Sequence, residues 1–195
     1  MKNNSSTTNQ TNIRFEIVSK LLIPQGTLLA ISVLWMLIFP NDCVIKYFKL
    51  NLQVLLIGLG AGIALAFAGY GFYFFAKRTK LFYEAVELFE QNLSPIIKRL
   101  GVLDIILLSC VSGSIEEIFF RGLIFKKVGI IISSIAFGLL HLPKPRFWIY
   151  ALWATGSGAI LALLFFWSDS IWTSIIAHVT NNLIGMILLK NLKQN

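Results

Sequence analysis

Charge is the scarcest ingredient of this 195-residue chain. Only 13% of its residues are Asp, Glu, Lys or Arg, against about 25% in a soluble globular domain. Acids are rarest, nine against 17 Lys and Arg, and there are two histidines and two cysteines. Each shortage excludes something. With 56% hydrophobic residues, a soluble fold of this size runs out of polar surface, because roughly a third of its unfolded surface stays exposed. Cys43 and Cys110 make neither a disulfide framework nor a metal-ligand spacing. No internal repeat is evident, and the first dozen residues lack the apolar core and small-residue cleavage site of a removed signal peptide. The bases sit in short clusters between uncharged runs, so the net charge of +8 points to anionic lipid and not to nucleic acid.

Long apolar runs are what the chain has in plenty. The polar start predicts a disordered tail over 1–18. Runs from Leu21 to Asn41 and from Leu50 to Ala76 carry no charge and read as membrane helices. In the second, Gly58, Gly60 and Gly62 predict a close packing seam. Residues 77–100 alternate differently. Glu84, Glu87 and Glu90 recur every three residues among apolar ones, which predicts an amphipathic interfacial helix broken near Pro95, or else a lid over a site. Four further runs follow, over about 101–125, 128–142, 147–168 and 170–189. The fold class expected is all-α: a polytopic membrane bundle of about six transmembrane helices plus one interfacial helix. Residues 19–100 form its N-terminal part and 101–190 a catalytic core. The 128–142 run is short for a span and reads as tilted or partly re-entrant.

Orientation follows from the bases. With the N-terminus inside, Lys2, Arg14, Lys20, Lys77, Arg78, Lys80, Lys98, Arg99, Lys144, Arg146, Lys190 and Lys193 fall inside. Lys46, Lys49, Arg121, Lys126 and Lys127 fall outside. That bias predicts a multi-pass cell-membrane protein with both termini cytoplasmic.

A charged residue inside a membrane helix is costly, which marks it as a functional candidate. The run SCVSGSIEEIFFRG places Glu116, Glu117 and Arg121 there. Arg121 follows Glu117 by four residues, so these two share a helix face and can pair. Glu116 points about 100° away and is the less neutralised carboxylate, suited to general base work. His141 ends one apolar run. His178 lies inside another, with Asn182 one turn later on the same face. A His and an Asn stacked in this way can both donate to a developing oxyanion. Two chemistries fit. Glu116 and the two histidines could bind zinc, although no HExxH pair is present. Alternatively Glu116 and His141 activate a water while His178 and Asn182 stabilise the tetrahedral intermediate. Neither Ser112, Ser114 nor Cys110 is spaced to be a nucleophile activated by histidine. Transport is the competing class, since intramembrane Glu and His also serve proton relays.

Three motifs in order now give a resemblance. Glu116-Glu117-Ile-Phe-Phe-Arg121 resembles the EExxxR signature of the CAAX-processing endopeptidase and bacteriocin-processing family (CPBP, or Abi) of intramembrane proteases. Phe137-Gly-Leu-Leu-His141 is similar to its FxxxH motif, and His178-Val-Thr-Asn-Asn182 to its HxxxN motif. The resemblance covers about residues 101–190. It implies a glutamate-dependent peptidase with no metal and no cofactor, catalytic at Glu116, His141, His178 and Asn182. Glu117, Arg121 and Phe137 take supporting places. It further implies a membrane-associated protein or peptide as substrate, a prokaryotic member by the chain's short length, and, in some members, an immunity or scaffold role without proteolysis.

Overall fold

The computed structural model describes residues 3–192, with side chains from Asn12 onward. It is all-α: among the described residues there is no strand. The elements are α1 (Asn3–Ile38), α2 (Leu52–Lys77), α3 (Tyr83–Glu87), α4 (Ser94–Lys98), α5 (Val102–Glu117), α6 (Phe125–Leu140), α7 (Trp148–Ser168) and α8 (Ile171–Lys190). A π-helical turn, Leu88–Leu93, joins α3 to α4, and another, Ile118–Ile124, joins α5 to α6. Five stretches are long and apolar enough to cross a membrane: Asn12–Ile38, Leu52–Lys77, Val102–Leu140, Pro145–Ser168 and Ile171–Lys190. The protein is a multi-pass membrane protein.

The count of five long stretches falls short of the six expected, and one residue explains the difference. Val102–Leu140 runs for 39 residues but is not one rod. Gly129 sits within α6 at φ 75°, ψ −176°, a conformation essentially closed to residues with a Cβ. From Glu116 to Gly129 is about 20 Å of helix, and from Gly129 to His141 about 18 Å, at 1.5 Å per residue. Yet the Glu116 and His141 side chains lie 3.7 Å apart. Two arms of nearly equal length whose far ends meet must fold back at the joint. The run beginning at Val128 is therefore the returning arm of a hairpin.

Between membrane helices there is little hydrophobic driving force, so close backbone approach and hydrogen bonds hold the bundle. α8 is the central element. At Gly62 of α2 an added Cβ would lie 2.5 Å from the Ala177 carbonyl oxygen of α8, and at Gly58 one would lie 2.9 Å from the Ile176 side chain. The glycine seam is thus real at Gly58 and Gly62, while Gly60 faces open space. Gly113 of α5 meets Val179 of α8 in the same way, and Gly138 of α6 meets Thr155 of α7.

Ion pairs gather at two ends of the bundle. Lys127 pairs with Asp42 at 2.9 Å, and Lys49 pairs with Asp169. At the other end Arg14 pairs with Asp104, Lys77 with Glu90 and Arg146 with Glu87. Arg121 belongs to neither end, because it is 1% exposed inside the bundle. It therefore drops out of the loop bases counted as outside.

Two N-terminal expectations change. α1 begins at Asn3, within the stretch expected to be a disordered tail; Met1 and Lys2 lie outside the described residues. Arg14 bonds Asp104 through two nitrogens, and Ile17 and Val18 pack on the Ile97, Leu100, Ile105 and Leu108 cluster. The α3–α4 segment is not broken at Pro95, which sits in the first turn of α4 where proline is tolerated. Two of its acids are paired. Glu87 accepts from Arg146 at 2.6 Å, and Glu90 takes the Lys77 ammonium at 2.8 Å and the Tyr73 hydroxyl at 2.5 Å. Burial works against the Glu90 carboxylate, but the Lys77 ammonium and the Tyr73 hydroxyl outweigh it and leave its pKa below the ordinary 4.5.

Candidate active site

The hairpin at Gly129 carries His141 back to the level of Glu116, and α8 brings His178 and Asn182 alongside. Residues separated by as many as 66 positions thereby share one polar centre within the apolar bundle. Glu116 is 7% exposed and Glu117 is fully buried.

The two adjacent carboxylates have different partners. Glu117 Oε1 accepts from Arg121 Nη1 at 2.9 Å and from His178 Nδ1 at 2.8 Å. Arg121 also donates through Nη2 to the Gly158 carbonyl at 2.6 Å, and its guanidinium lies over the Phe137 ring at 4.6 Å. This is the Glu–Arg pair read from the four-residue spacing, with an added hold on His178. Glu116 is less engaged. Its Oε1 accepts from Gln25 Nε2 at 2.7 Å. Its Oε2 is buried, has no hydrogen-bond partner in the protein, and stands 3.7 Å from His141 Nε2 and 3.9 Å from His178 Nε2. Both distances are too long for direct hydrogen bonds and suit a bridging water.

The partners assign the imidazole protons. His141 Nδ1 is 2.8 Å from the Phe137 carbonyl, which can only accept, so Nδ1 carries the hydrogen. The Nε2 of a neutral His141 then offers a lone pair towards Glu116. His178 Nδ1 faces the Glu117 carboxylate, so it too carries hydrogen. The Nε2 of His178 points to the Glu116 side of the site, 3.9 Å from Oε2. Asn182 donates through Nδ2 to Ser112 Oγ at 3.1 Å, which fixes the amide and leaves its second N–H unused. Phe137 is shared by the whole site: its ring meets the His141 ring at 4.5 Å and the His178 ring at 5.7 Å between centroids.

The histidines form part of the wall of a cavity of about 280 Å³ between α2, α7 and α8, floored by the α3–α4 segment. Its polar wall is His141, Tyr150, His178, Asn181 and Asn182, and the rest is mainly apolar, including Phe89 and Trp153. A second hollow of about 350 Å³ opens between α4 and the loop before α7, and shares His141, Tyr150 and Leu93 with the first. The α3–α4 segment therefore lines one side of both hollows. Among the described residues, no group of three or more His, Cys, Asp or Glu is arranged to hold a metal ion.

Four participants were absent from the motif reading. Gln25, Tyr150, Ser112 as the partner of Asn182, and Glu117 as the partner of His178 all emerge from the packing. Gln25 had a visible signal, an amide in the uncharged run from Leu21 to Asn41. The other three depend on contacts across helices that spacing does not reveal.

The family described as Rce1-like, Type II CAAX prenyl endopeptidase Rce1-like, matches residues 98–184. Residues 98–184, somewhat under half of the chain, are thus similar to the Rce1-like CAAX endopeptidase family. The matched segment holds Glu116, Glu117, Arg121, Phe137, His141, Tyr150, His178 and Asn182, whereas Gln25 and the α2 side of the cavity lie before it. No curated protein and no solved structure matches the chain. Within the matched segment the chain carries buried Glu–His pairs, Glu116 with His141 and His178, and Glu117 with His178.

Proposed function

We propose that this protein is an intramembrane endopeptidase that hydrolyses a peptide bond in a membrane-associated protein or peptide, with water activated by Glu116 and His141. The observation that carries this reading is the unpartnered Glu116 Oε2, buried and facing two imidazole nitrogens at 3.7 and 3.9 Å. A carboxylate in that position is uncompensated unless a small hydrogen donor sits between the three groups, and water is such a donor. Water gives one proton to the Glu116–His141 pair as its oxygen attacks the substrate carbonyl. The negative charge moves to the carbonyl oxygen. His178, held by Glu117, and Asn182, held by Ser112, donate to that oxyanion. Collapse breaks the C–N bond, and the proton taken from water passes to the leaving nitrogen. Glu117 and Arg121 keep His178 in place through charge pairing. No step calls for a metal or a cofactor.

The topology that suits this chemistry has six crossings, with the hairpin at Gly129 supplying the fourth. An even number puts both termini on one side, and the base-rich end makes that side the cytoplasm. Residues 101–190 act as the catalytic core. Residues 19–100 add two spans and the α3–α4 wall, and the N-terminal segment precedes them. The mostly apolar cavity between α2 and α7 suits a lipid-anchored or hydrophobic segment. The family's description names prenylated CAAX ends, so a farnesylated C-terminal peptide is the first substrate to try.

Two comparisons test the reading. Purified wild-type and E116Q proteins are incubated with that peptide, and membrane peptides from cells making either form are compared. The expected result is hydrolysis by the wild type that falls about 10²–10⁴-fold in E116Q, the range typical of losing a general base. Full turnover by E116Q would falsify the mechanism.

A further inference from the structure

Gln25 lies on α1, directly after Pro24, in a stretch otherwise free of charge. It reaches across 91 positions of sequence to donate to Glu116 Oε1 at 2.7 Å. Its own carbonyl oxygen is buried and has no hydrogen-bond partner in the protein. A glutamine kept in an apolar helix to strengthen the bundle would satisfy both ends of its amide, because an unmade buried hydrogen bond is costly. Here the amide makes one bond, and that bond falls on the reacting carboxylate.

The geometry around Glu116 leaves Gln25 a distinct task. Glu117 and Arg121, on the same chain segment, are tied to each other and to His178 and Gly158. From α6 and α8 come His141 and His178, both beyond hydrogen-bond distance of Oε2. Among the described residues only Gln25 bonds the Glu116 side chain directly, and an amide donates in the same way at any pH. If Oε1 is fixed, Oε2 is fixed as well, since the two share a rigid planar group. We propose that Gln25 is a positioning residue: it holds Glu116 so that the unpartnered oxygen faces His141 and His178. It acts from α1, outside residues 98–184 that match the family, so the first span completes a site otherwise built from α5 to α8. The inference rests on Glu116 being the water-activating carboxylate.

The test reads the carboxylate itself. The infrared carboxylate band of Glu116 is identified as the one missing in E116Q. It is then followed in Gln25→Met, which keeps length but loses the amide, and in Gln25→Asn, which keeps the amide but withdraws it by one methylene. Both variants should move the band. On the peptide that the wild type hydrolyses, both should lower kcat about 10–100-fold, the worth of a hydrogen bond to a charged group, with KM unchanged. Two variants with opposite chemistry guard against one failing to fold. A band that stays in place, or unchanged kcat in both variants while E116Q is inactive, overturns this inference alone. Turnover retained by E116Q overturns the reading of Glu116 and this inference with it.

Discussion

Glu116 and Glu117 are neighbours in sequence and differ in almost every contact. Glu117 is fully buried and holds Arg121 and His178 on one oxygen. Glu116 is nearly as buried, yet its closest partner is a neutral amide, and its second oxygen faces the His141 and His178 ring nitrogens at 3.7 and 3.9 Å. One helical step separates a carboxylate that locks the structure from one open to chemistry. Burial alone therefore does not distinguish the two, and neither does the count of satisfied oxygens, since each keeps one buried oxygen unpartnered; the partners do, a guanidinium and an imidazole for Glu117, a neutral amide and two facing imidazole nitrogens for Glu116. Ion pairs in apolar surroundings tolerate removal of one partner poorly, whereas Glu116 changed to Gln keeps its shape and the acceptor oxygen that Gln25 uses, exchanging its other oxygen for an NH2 group.

The comparison breaks first on the Glu117 side. Arg121→Met leaves Glu117 and His178 without their cation, and should cost about 3–5 kcal/mol of stability, as for other buried pairs cut in half. Thermal unfolding in detergent measures it, with E116Q expected to melt close to wild type. Next comes the oxyanion side. Asn182→Ala removes one donor and should slow hydrolysis about 10²–10³-fold without lowering the melting temperature; steady-state kinetics read the loss. Smaller in energy is the hinge. Gly129→Ala forces a Cβ into a conformation that costs about 1–3 kcal/mol, and any relaxation of the joint moves His141 away from Glu116. A fall in activity beyond the fall in stability would show that relaxation. The smallest effect concerns pH. The folded Glu90 carboxyl titrates below its ordinary 4.5, so its pair with Lys77 contributes stability above pH 4.5 and loses it as pH falls through the lower folded value. Acidification from pH 7 to 5 should leave the α3–α4 wall docked, as amide exchange over residues 83–98 can report.

Much of the site was legible because charge in an apolar run has few innocent explanations. Glu116, Glu117, Arg121, His141, His178 and Asn182 stand out against uncharged neighbours, and the four-residue spacings from Glu117 to Arg121 and from His178 to Asn182 locate shared helix faces. What failed to show were contacts between helices. Nothing in spacing joins Gln25 to Glu116 or Ser112 to Asn182. Gly129 is one of 14 glycines, and its positive φ is a backbone property that the letter alone does not reveal. Spacing likewise does not show that Glu87 and Glu90 are paired, because Arg146 and Lys77 arrive from the approach to α7 and from the end of α2. The polar first residues suggested disorder, yet the bond from Arg14 to Asp104 docks that part of α1.

The central claim is that one carboxylate reacts and its neighbour braces. Purified wild-type, E116Q and E117Q proteins, melted in detergent and assayed side by side on one hydrolysed peptide, test it most directly. The account predicts that E116Q melts like wild type with its hydrolysis lost, and that E117Q melts lower because Arg121 is left without its anion. An E116Q protein that still hydrolyses the peptide, or an E117Q protein with unchanged melting, would contradict it.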